Sequence, residues 1–464
     1  MIEQIYTGCL AQGAYFIYSN GEAAIIDPLR ETKPYLDRAE KAGVKIKYVF
    51  ETHFHADFVS GHVELASKTG AEIIYGPNAN PEFKATIASD NQVFTIGSYS
   101  IKVIHTPGHT MESSCYLLSD ESGKNLALFT GDTLFLGDVG RPDLAQKAAS
   151  MTQEELAGML YESIYNKIMP LSDDIIIYPG HGAGSACGKN MMKETQDTLG
   201  HQKSMNYALN QASKESFVQA VTEGLLPPPG YFPLNVALNK KGPQHLDALL
   251  SSSLVALTPD IFEYETRNHE ALILDTREAG EFAKGFIPGS INIGLGGQFA
   301  PWLGALVKDV NQAIVLVCTP GKEEEALIRM SRVGFDNVIG FLKDGFDSWI
   351  KAGKPIDQVN RITVDEFAEK YNQNSLIIDV RKDGEYSGGH LVNSNNFPLD
   401  FIDEWFASIE DKKGFFLHCQ GGYRSMIAAS IFKSRGITDF YEVDGGYQAI
   451  SKTTLPIEVS KVPS

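Results

Sequence analysis

The sequence predicts a multidomain α/β protein, and three observations carry that expectation. The chain has 464 residues, too many for a single hydrophobic core. Its first ~190 residues are short apolar runs closed by polar or Gly-rich ends, the pattern of buried strands. The remainder contains an internal repeat with a period of about 100 residues.

The bulk numbers are those of a globular protein, with 43% hydrophobic and 21% charged residues. A formal charge of −18 and a pI near 5.1 argue against nucleic acid as a partner, because phosphate binding needs a basic face. No apolar run approaches the ~20 residues that span a bilayer, so membrane insertion is not expected. The N-terminal stretch "MIEQIYTGCLAQGAYF" lacks the basic segment and long apolar core of a secretory signal. Cys9, Cys115, Cys187, Cys318 and Cys419 are odd in number and far apart. They form no disulfide framework and suit a reducing, cytoplasmic location with one or two working thiols. A homo-oligomer is compatible with all of this.

Along the chain, "AAIID", "KYVFETH", "AEIIYGP", "IKVIHTPGH", "LALFTGD" and "DIIIYPGH" read as strands, and several end in His or Asp. Those polar ends are expected to gather at one edge of a sheet. Between them lie helical stretches such as "KPYLDRAEKAG" and "GHVELASKTG", the latter with a Gly stop. A polar helical segment covers roughly Lys189 to Glu223, and "LLPPPGYFP" marks a linker. In the repeat, "ALILDTREAGEFAKGFIPGSINI" parallels "SLIIDVRKDGEYSGGHLVNSNNFPL", aligning Asp275 with Asp379, Arg277 with Arg381 and Glu281 with Glu385. "IVLVC" ending at Cys318 parallels "FFLHC" ending at Cys419, and "FLKDGFDSW" parallels "YEVDGGYQA". A strand, a cysteine and a following helix, present twice, indicate a duplicated small α/β domain. The expected domains are 1–240, 250–355 and 361–464.

The stretch "ETHFHADFVSGH", Glu51 to His62, carries His53, His55 and Asp57 in alternation after a strand. "TPGHT" adds His109, "TGD" adds Asp132 and "YPGHG" adds His181. Imidazoles and carboxylates together suit zinc, iron or manganese better than magnesium or calcium. Phe58 stands directly after Asp57, where a further ligand would be convenient, and His62 is expected at the surface, at a helix start.

These four motifs, in this order, resemble the metallo-β-lactamase fold, an αββα sandwich with metals at one edge of its sheets. Hydrolases of that family hold two zinc ions through a His-x-His-x-Asp-His motif, and here the final His is Phe58. The resemblance therefore implies one metal. The family's persulfide dioxygenases hold one Fe(II) on the first motif His, the "TPGH" His and the "GD" Asp. Carried over, these are His53, His109 and Asp132, a two-histidine, one-carboxylate set with open positions. Phe58 points to one metal without choosing iron over zinc. His55, Asp57 and His181 are expected behind the ligands, orienting them and water. "GDVGRPDLA" resembles the dioxygenases, and Arg141 is expected to pair with Asp143 and brace the site. Tyr178 is expected in the core or donating its hydroxyl to a ligand. Cys187, with Lys189 close behind, is expected at the cavity rim as a structural thiol or a sulfur relay. Cys9 and Cys115 are expected to be inert core residues.

"FFLHCQGGYRSMIAAS" is an apolar strand, a cysteine, a Gly-rich loop and then a helix. Such a loop turns backbone N–H groups toward Cys419, and the helix N-terminus adds positive potential. Both lower a thiol pKa, and both would hold a sulfur oxyanion with Arg424 as a fixed cation. Gln420, Gly421, Gly422, Tyr423 and Ser425 complete the cradle. With "IIDVR", "EYSGGH" and "VDGGYQAI", this stretch resembles the rhodanese family of sulfurtransferases, which implies that Cys419 cycles between thiolate and persulfide. In the first copy the loop reads "CTPGKEEEALIRM": Pro320 removes a donor, and Glu323 replaces the arginine beside Glu324 and Glu325. Three carboxylates raise a thiol pKa and repel an anion. Residues 250–355 are thus read as a degenerate rhodanese domain with a scaffolding or docking role, and Cys318 as inactive.

The order of domains resembles bacterial fusions of a persulfide dioxygenase with rhodaneses that act in sulfide detoxification. That resemblance implies one non-haem Fe(II) per chain, with zinc as the lesser alternative. It also implies a low-molecular-weight thiol persulfide and O2 as substrates, and sulfite and thiosulfate as the compounds handled by Cys419. Two other readings stand beside it: a zinc thioester hydrolase of the glyoxalase II type with a sulfurtransferase domain, and a non-catalytic sulfur carrier or redox sensor.

Overall fold

The computed structural model describes residues 1–409 and 412–459, with the side chains of 147 and 148 outside that description. The chain divides into two compact units, Met1–Leu249 with Met330–Gly334, and Leu250–Arg329 with Phe335–Ser464.

The first unit is an αββα sandwich of two six-stranded sheets. One sheet runs in chain order through Ile2–Thr7, Gln12–Ser19, Glu22–Ile26, Lys45–Phe50, Glu72–Tyr75 and Thr86–Ile87. The other pairs Asp197–Thr198, Ile176–Pro179, Asn125–Gly131, Ser114–Ser119, Tyr99–His105 and Val93–Ile96 in that spatial order. Strand alternation sorts the side chains. Tyr15 and Ile17 face inward with Ile26, Phe50 and Ile74 to meet Val103, Tyr116, Leu118 and Phe129 of the opposite sheet. Phe16, between Tyr15 and Ile17, faces outward and is covered with Ile25 and Val49 by Tyr35, Ala39 and Leu65 of helices Lys33–Ala42 and His62–Thr69. On the far side, Leu117, Leu128 and Ile177 are covered by Leu160 and Phe217 of helices Gln153–Ser163 and Lys214–Thr222. Each sheet is apolar on both faces, which explains why its strands read as continuous apolar runs.

The polar residues that close those runs lie just beyond the ends of the strands. His53 follows Lys45–Phe50, His109 follows Tyr99–His105, Asp132 follows Asn125–Gly131 and His181 follows Ile176–Pro179.

The second unit holds two five-stranded sheets with the same strand order. The first is Ala256–Leu257, Val338–Leu342, Ile314–Val317, Leu272–Asp275, Ile291–Asn292, all parallel. The second is Arg361–Ile362, Phe440–Val443, Phe415–His418, Ile377–Asp379, Ser394–Asn396, also all parallel. The duplication extends to side chains. Arg277 forks onto Asp275 and donates to Gly285 O at 2.9 Å, and Arg381 forks onto Asp379 and donates to Gly389 O at 2.8 Å. The two guanidinium planes lie 4.2 Å from the Phe346 ring and 3.9 Å from the Tyr447 ring. These buried pairs brace each domain.

Candidate functional site

His53, His109 and Asp132 are buried and bring three ligand atoms within 4.8 Å of one another. Asp132 Oδ2 lies 3.9 Å from His53 Nε2 and 3.6 Å from His109 Nε2. It has no hydrogen-bond partner among the described residues. A buried carboxylate oxygen left unpaired is costly, and two imidazole nitrogens facing it make a fitting cation site. The other nitrogen of each ring is held. His109 Nδ1 lies 2.8 Å from Arg141 O, so it carries the proton and Nε2 presents its lone pair. His53 Nδ1 lies 3.0 Å from Thr52 Oγ1, whose hydroxyl donates to Asp27 Oδ2 at 2.8 Å. Burial pushes the His53 pKa well below the usual imidazole value, with the neighbouring histidines adding to the fall against Asp132. Burial alone would raise the Asp132 carboxyl, but His181, His53 and His109 outweigh it and hold it well below its ordinary range. Gly180 of "YPGHG" has a specific reason: a Cβ there would stand 2.6 Å from Asp132 Oδ1.

The remaining motif residues form two further buried groups. His181 bridges two carboxylates, with Nδ1 2.8 Å from Asp132 Oδ1 and Nε2 2.7 Å from Asp57 Oδ2. Cys187 completes the first of these groups with Asp57 and His181, and Asp27, Glu51 and His55 form the other. The His55 ring lies against that of His53, with centroids 4.3 Å apart, while its Nε2 stands 3.1 Å from Asp27 Oδ1 and 3.2 Å from Glu51 Oε2. Burial disfavours charge on His55, but Asp27 and Glu51 outweigh it and raise its pKa to about 10. Phe58 is fully buried and stacks on the His55 ring, with centroids 4.2 Å apart and planes at 28°.

Several expectations are corrected by this geometry. His62 is not a surface residue: it is fully buried, 3.5 Å from Glu51 Oε1 and against the Phe83 ring, because helix His62–Thr69 packs that end onto the sheet. Cys187 is buried rather than at a rim, and burial with Asp57 and Asp132 pushes its thiol pKa well up. Lys189 gives it no help, since its ammonium donates to Ala220 O and Glu223 O. Tyr178 belongs to the sandwich core, stacked 5.3 Å from Phe129 and edge-on to Tyr15. Cys9 is half-buried, whereas Cys115 is fully buried with its pKa pushed up to about 11. Arg141 and Asp143 form the expected pair, with two bonds of 2.7 Å. Asp27 and Glu51 went unmarked by the motif reading, although "AAIID" ends on one and the ligand stretch opens on the other.

At the second site, Cys419 is buried at the end of strand Phe415–His418. Its Sγ accepts from Gly422 N at 3.2 Å and lies 3.5 Å from Ser425 Oγ. Gly422 has φ +101°, the left-handed turn that starts helix Tyr423–Ser434. Arg424 is not a free cation: it is held in a bidentate pair with Glu385 at 2.5 and 2.7 Å. Gln420 and Gly421 are exposed at the mouth, and Tyr423 is half-buried. In the first copy, burial pushes the Cys318 thiol up to about 12, Thr276 opposes this, and Glu323 and Asp275 add to it.

The geometry defines a metal-binding αββα sandwich followed by paired thiol-bearing α/β domains. The Metallo-beta-lactamase superfamily model matches residues 7–181, and the Rhodanese-like domain model matches 258–352 and 363–453. The crystal structure of a metallo-beta-lactamase from Staphylococcus aureus subsp. aureus COL aligns with TM-score 0.65 and 30% identity, covering 74% of this chain and 98% of that one. The chain belongs to the metallo-beta-lactamase superfamily and carries two rhodanese-like domains behind that fold. Among curated proteins, a hydroxyacylglutathione hydrolase of Dictyostelium discoideum is 33% identical over 165 residues, 35% of this chain and 58% of that protein. The mitochondrial persulfide dioxygenase ETHE1 of Homo sapiens is 28% identical over 222 residues, 47% of this chain and 79% of that protein. The chain thus spans less than two thirds of the length of the first of these relatives. Among the described residues, no helix is long and apolar enough to cross a membrane.

Proposed function

We propose that the chain is a persulfide dioxygenase joined to a rhodanese-type sulfurtransferase. The observation that carries this reading is one open two-histidine, one-carboxylate set beside a second corner of Asp57, His181 and Cys187 where Phe58 supplies no nitrogen. His53, His109 and Asp132 turn unshared donor atoms to one point. His55 is occupied by Asp27 and Glu51, and Phe58 fills the position of a further ligand. Two histidines and one carboxylate with open positions suit mononuclear non-haem Fe(II).

Bound there, Fe(II) would supply the redox chemistry that adds dioxygen to a terminal sulfur. The chain's own residues do the rest. Thr52 and the Arg141 carbonyl hold the two imidazoles in one tautomer. His181 clamps Asp132 from behind, leaving Oδ2 free. Phe58, Phe135 and Val139 are buried apolar residues of this region and limit water. The net reaction balances as RSS⁻ + O2 + H2O giving RSH + SO3²⁻ + H⁺, with a low-molecular-weight thiol as R–SH.

At the second site Cys419 carries sulfane sulfur. Its persulfide passes sulfur to sulfite, giving thiosulfate and the thiolate, or the reverse. Gly422 N–H and the helix N-terminus stabilise the thiolate. One chain bearing both sites raises the local concentration of sulfite near Cys419.

The similarity to hydroxyacylglutathione hydrolases supports a second reading, a zinc thioester hydrolase in which bound hydroxide attacks a carbonyl. Phe58 and the rhodanese domains weigh against it. Oxygen uptake by Fe(II)-reconstituted protein across a panel of thiol persulfides, with sulfite quantified, separates the two. Uptake lost in His109→Ala supports the dioxygenase. Two zinc ions per chain with no uptake would overturn it.

A further inference from the structure

Below Cys419 lies a chain of contacts that the rhodanese reading does not use. Ser425 Oγ, 3.5 Å from Cys419 Sγ, is also 2.6 Å from Glu442 Oε1. Glu442 is fully buried on strand Phe440–Val443. Its other oxygen accepts from Arg361 Nε at 2.8 Å, and Arg361 pairs in turn with Asp444 at 2.7 Å. Keeping a carboxylate in a central strand is costly, and the duplicated domain shows that the fold does not need it. In the parallel register Arg361 faces Glu442, whereas at the equivalent pair of the first copy Ala256 faces Phe341. Glu324 stands there in place of Ser425, on the sequence alignment of the two loops. The contact chain exists only in the copy that keeps the glycine cradle.

A hydroxyl has one proton to give and two lone pairs to receive. Ser425 Oγ is placed to donate both to Glu442 Oε1 at 2.6 Å and to Cys419 Sγ at 3.5 Å. Its one proton goes to the shorter contact, so an Oγ lone pair can take the thiol proton as the carboxylate takes the hydroxyl's. We propose that Glu442, acting through Ser425, takes up the proton of the Cys419 thiol and so prepares the thiolate. The Sγ–H bond breaks as its proton passes to Ser425 Oγ, while the Oγ proton passes to Glu442 Oε1. Negative charge moves from carboxylate to sulfur and no electron is exchanged. Gly422 N–H and the helix N-terminus receive the charge at Sγ, and Arg361 keeps its bond to Oε2.

Burial raises the Glu442 pKa above the ordinary carboxylate value against Arg361 and Ser425, with Asp444 adding to the rise. The other charged groups around the two residues are engaged elsewhere. Arg424 is paired with Glu385 and Arg381 with Asp379. His418 faces the Cys419 carbonyl, and burial lowers its pKa. The proposal rests on reading Cys419 as the sulfur-carrying thiol.

The test follows alkylation of Cys419 by iodoacetamide against pH in the full chain, read by peptide mass, beside thiosulfate:cyanide sulfur transfer. Glu442→Gln and Ser425→Ala are each expected to move the alkylation midpoint up by about one pH unit. Sulfur transfer should fall roughly tenfold at neutral pH and recover at high pH, where the thiolate forms unaided. Ser425→Thr, which keeps the hydroxyl, should restore the wild-type profile. An unchanged midpoint, or a loss equal at every pH, would overturn the proposal. If Cys419→Ser kept sulfur transfer, the reading of Cys419 as the sulfur-carrying thiol would fall instead, while the alkylation profiles of the other variants would still report on Glu442.

Discussion

Tyr423, in the loop that follows Cys419, donates its hydroxyl proton to the carbonyl of Gly294 at 2.8 Å. Gly294 lies in the first rhodanese-like copy, so the loop of one copy is pinned by the backbone of the other. The contact is close: a Cβ on Gly297 would stand 2.4 Å from the Tyr423 ring. It gives the copy with the poorer cysteine site a physical task, holding the loop of the better one. Asn292 N, bonded to Ser430 Oγ at 2.9 Å, adds a second pin on the following helix.

Gly297→Ala should therefore push Tyr423 and shift the cradle. A displacement of this kind lowers sulfur transfer about tenfold or more, with persulfide-dependent oxygen uptake unchanged. Tyr423→Phe removes one hydrogen bond, a loss of about 1 kcal/mol, and should have a smaller effect. Steady-state sulfur transfer measured beside oxygen uptake distinguishes them. Equal loss of both activities in Gly297→Ala would indicate general unfolding.

Phe58 makes a separate prediction about metal number. Its ring covers His55 and approaches His181, with centroids 6.4 Å apart. Phe58→His places an imidazole beside Asp57 and His181, which are themselves linked at 2.7 Å. Zinc-loaded protein should rise from about one toward about two ions per chain. Elemental analysis of wild type and variant reads this directly. A variant that stays at the wild-type ratio would mean that Phe58 does not control the second corner.

Much of the architecture was legible because the physics is local. Buried strands must be apolar, so their polar ends stood out and placed His53, His109, Asp132 and His181 together. The repeat was visible because each copy needs the same Asp–Arg brace, Asp275 with Arg277 and Asp379 with Arg381. What spacing does not contain is which way a side chain turns. His53 and His55 are two residues apart on an extended stretch, yet His53 faces Asp132 and His55 faces Asp27 and Glu51. Glu51 opens the same stretch, but Asp27 arrives from another strand end and holds a left-handed φ of 50° with its oxygens on Thr52. Arg424 likewise looked free in its loop until Glu385 was seen against it, and Glu442 looked like one polar residue in a strand.

Asp27 and Thr52 should matter to the metal without touching it. Thr52→Val keeps the shape and removes the hydroxyl that fixes His53. Losing such a partner costs about 10–100-fold in metal affinity. Asp27→Asn should act in the same direction, because it weakens the acceptor that orients Thr52. Competition against a chelator, with Fe(II) or zinc, measures the affinity. Unchanged affinity in Thr52→Val would show that His53 is oriented by packing alone.

The two domain cysteines should differ sharply in pH behaviour. Burial, with Glu323 and Asp275, pushes the Cys318 thiol from 9.0 up to about 12. Pro320 offers that sulfur no N–H, whereas Gly422 N–H reaches Cys419 Sγ at 3.2 Å. The folded state thus keeps the Cys318 proton where the unfolded chain releases it. By linkage, the stability this proton contributes is fully present below pH 9.0 and is lost as pH rises toward about 12. Cys318→Ser removes a titrating group and should flatten the fall in thermal stability across that window. At pH 8 iodoacetamide should modify Cys419 well before Cys318, because a thiol of such pKa is about one part in ten thousand thiolate. Mass mapping of a labelling time course gives the order, and equal rates at the two positions would sink the distinction between the copies.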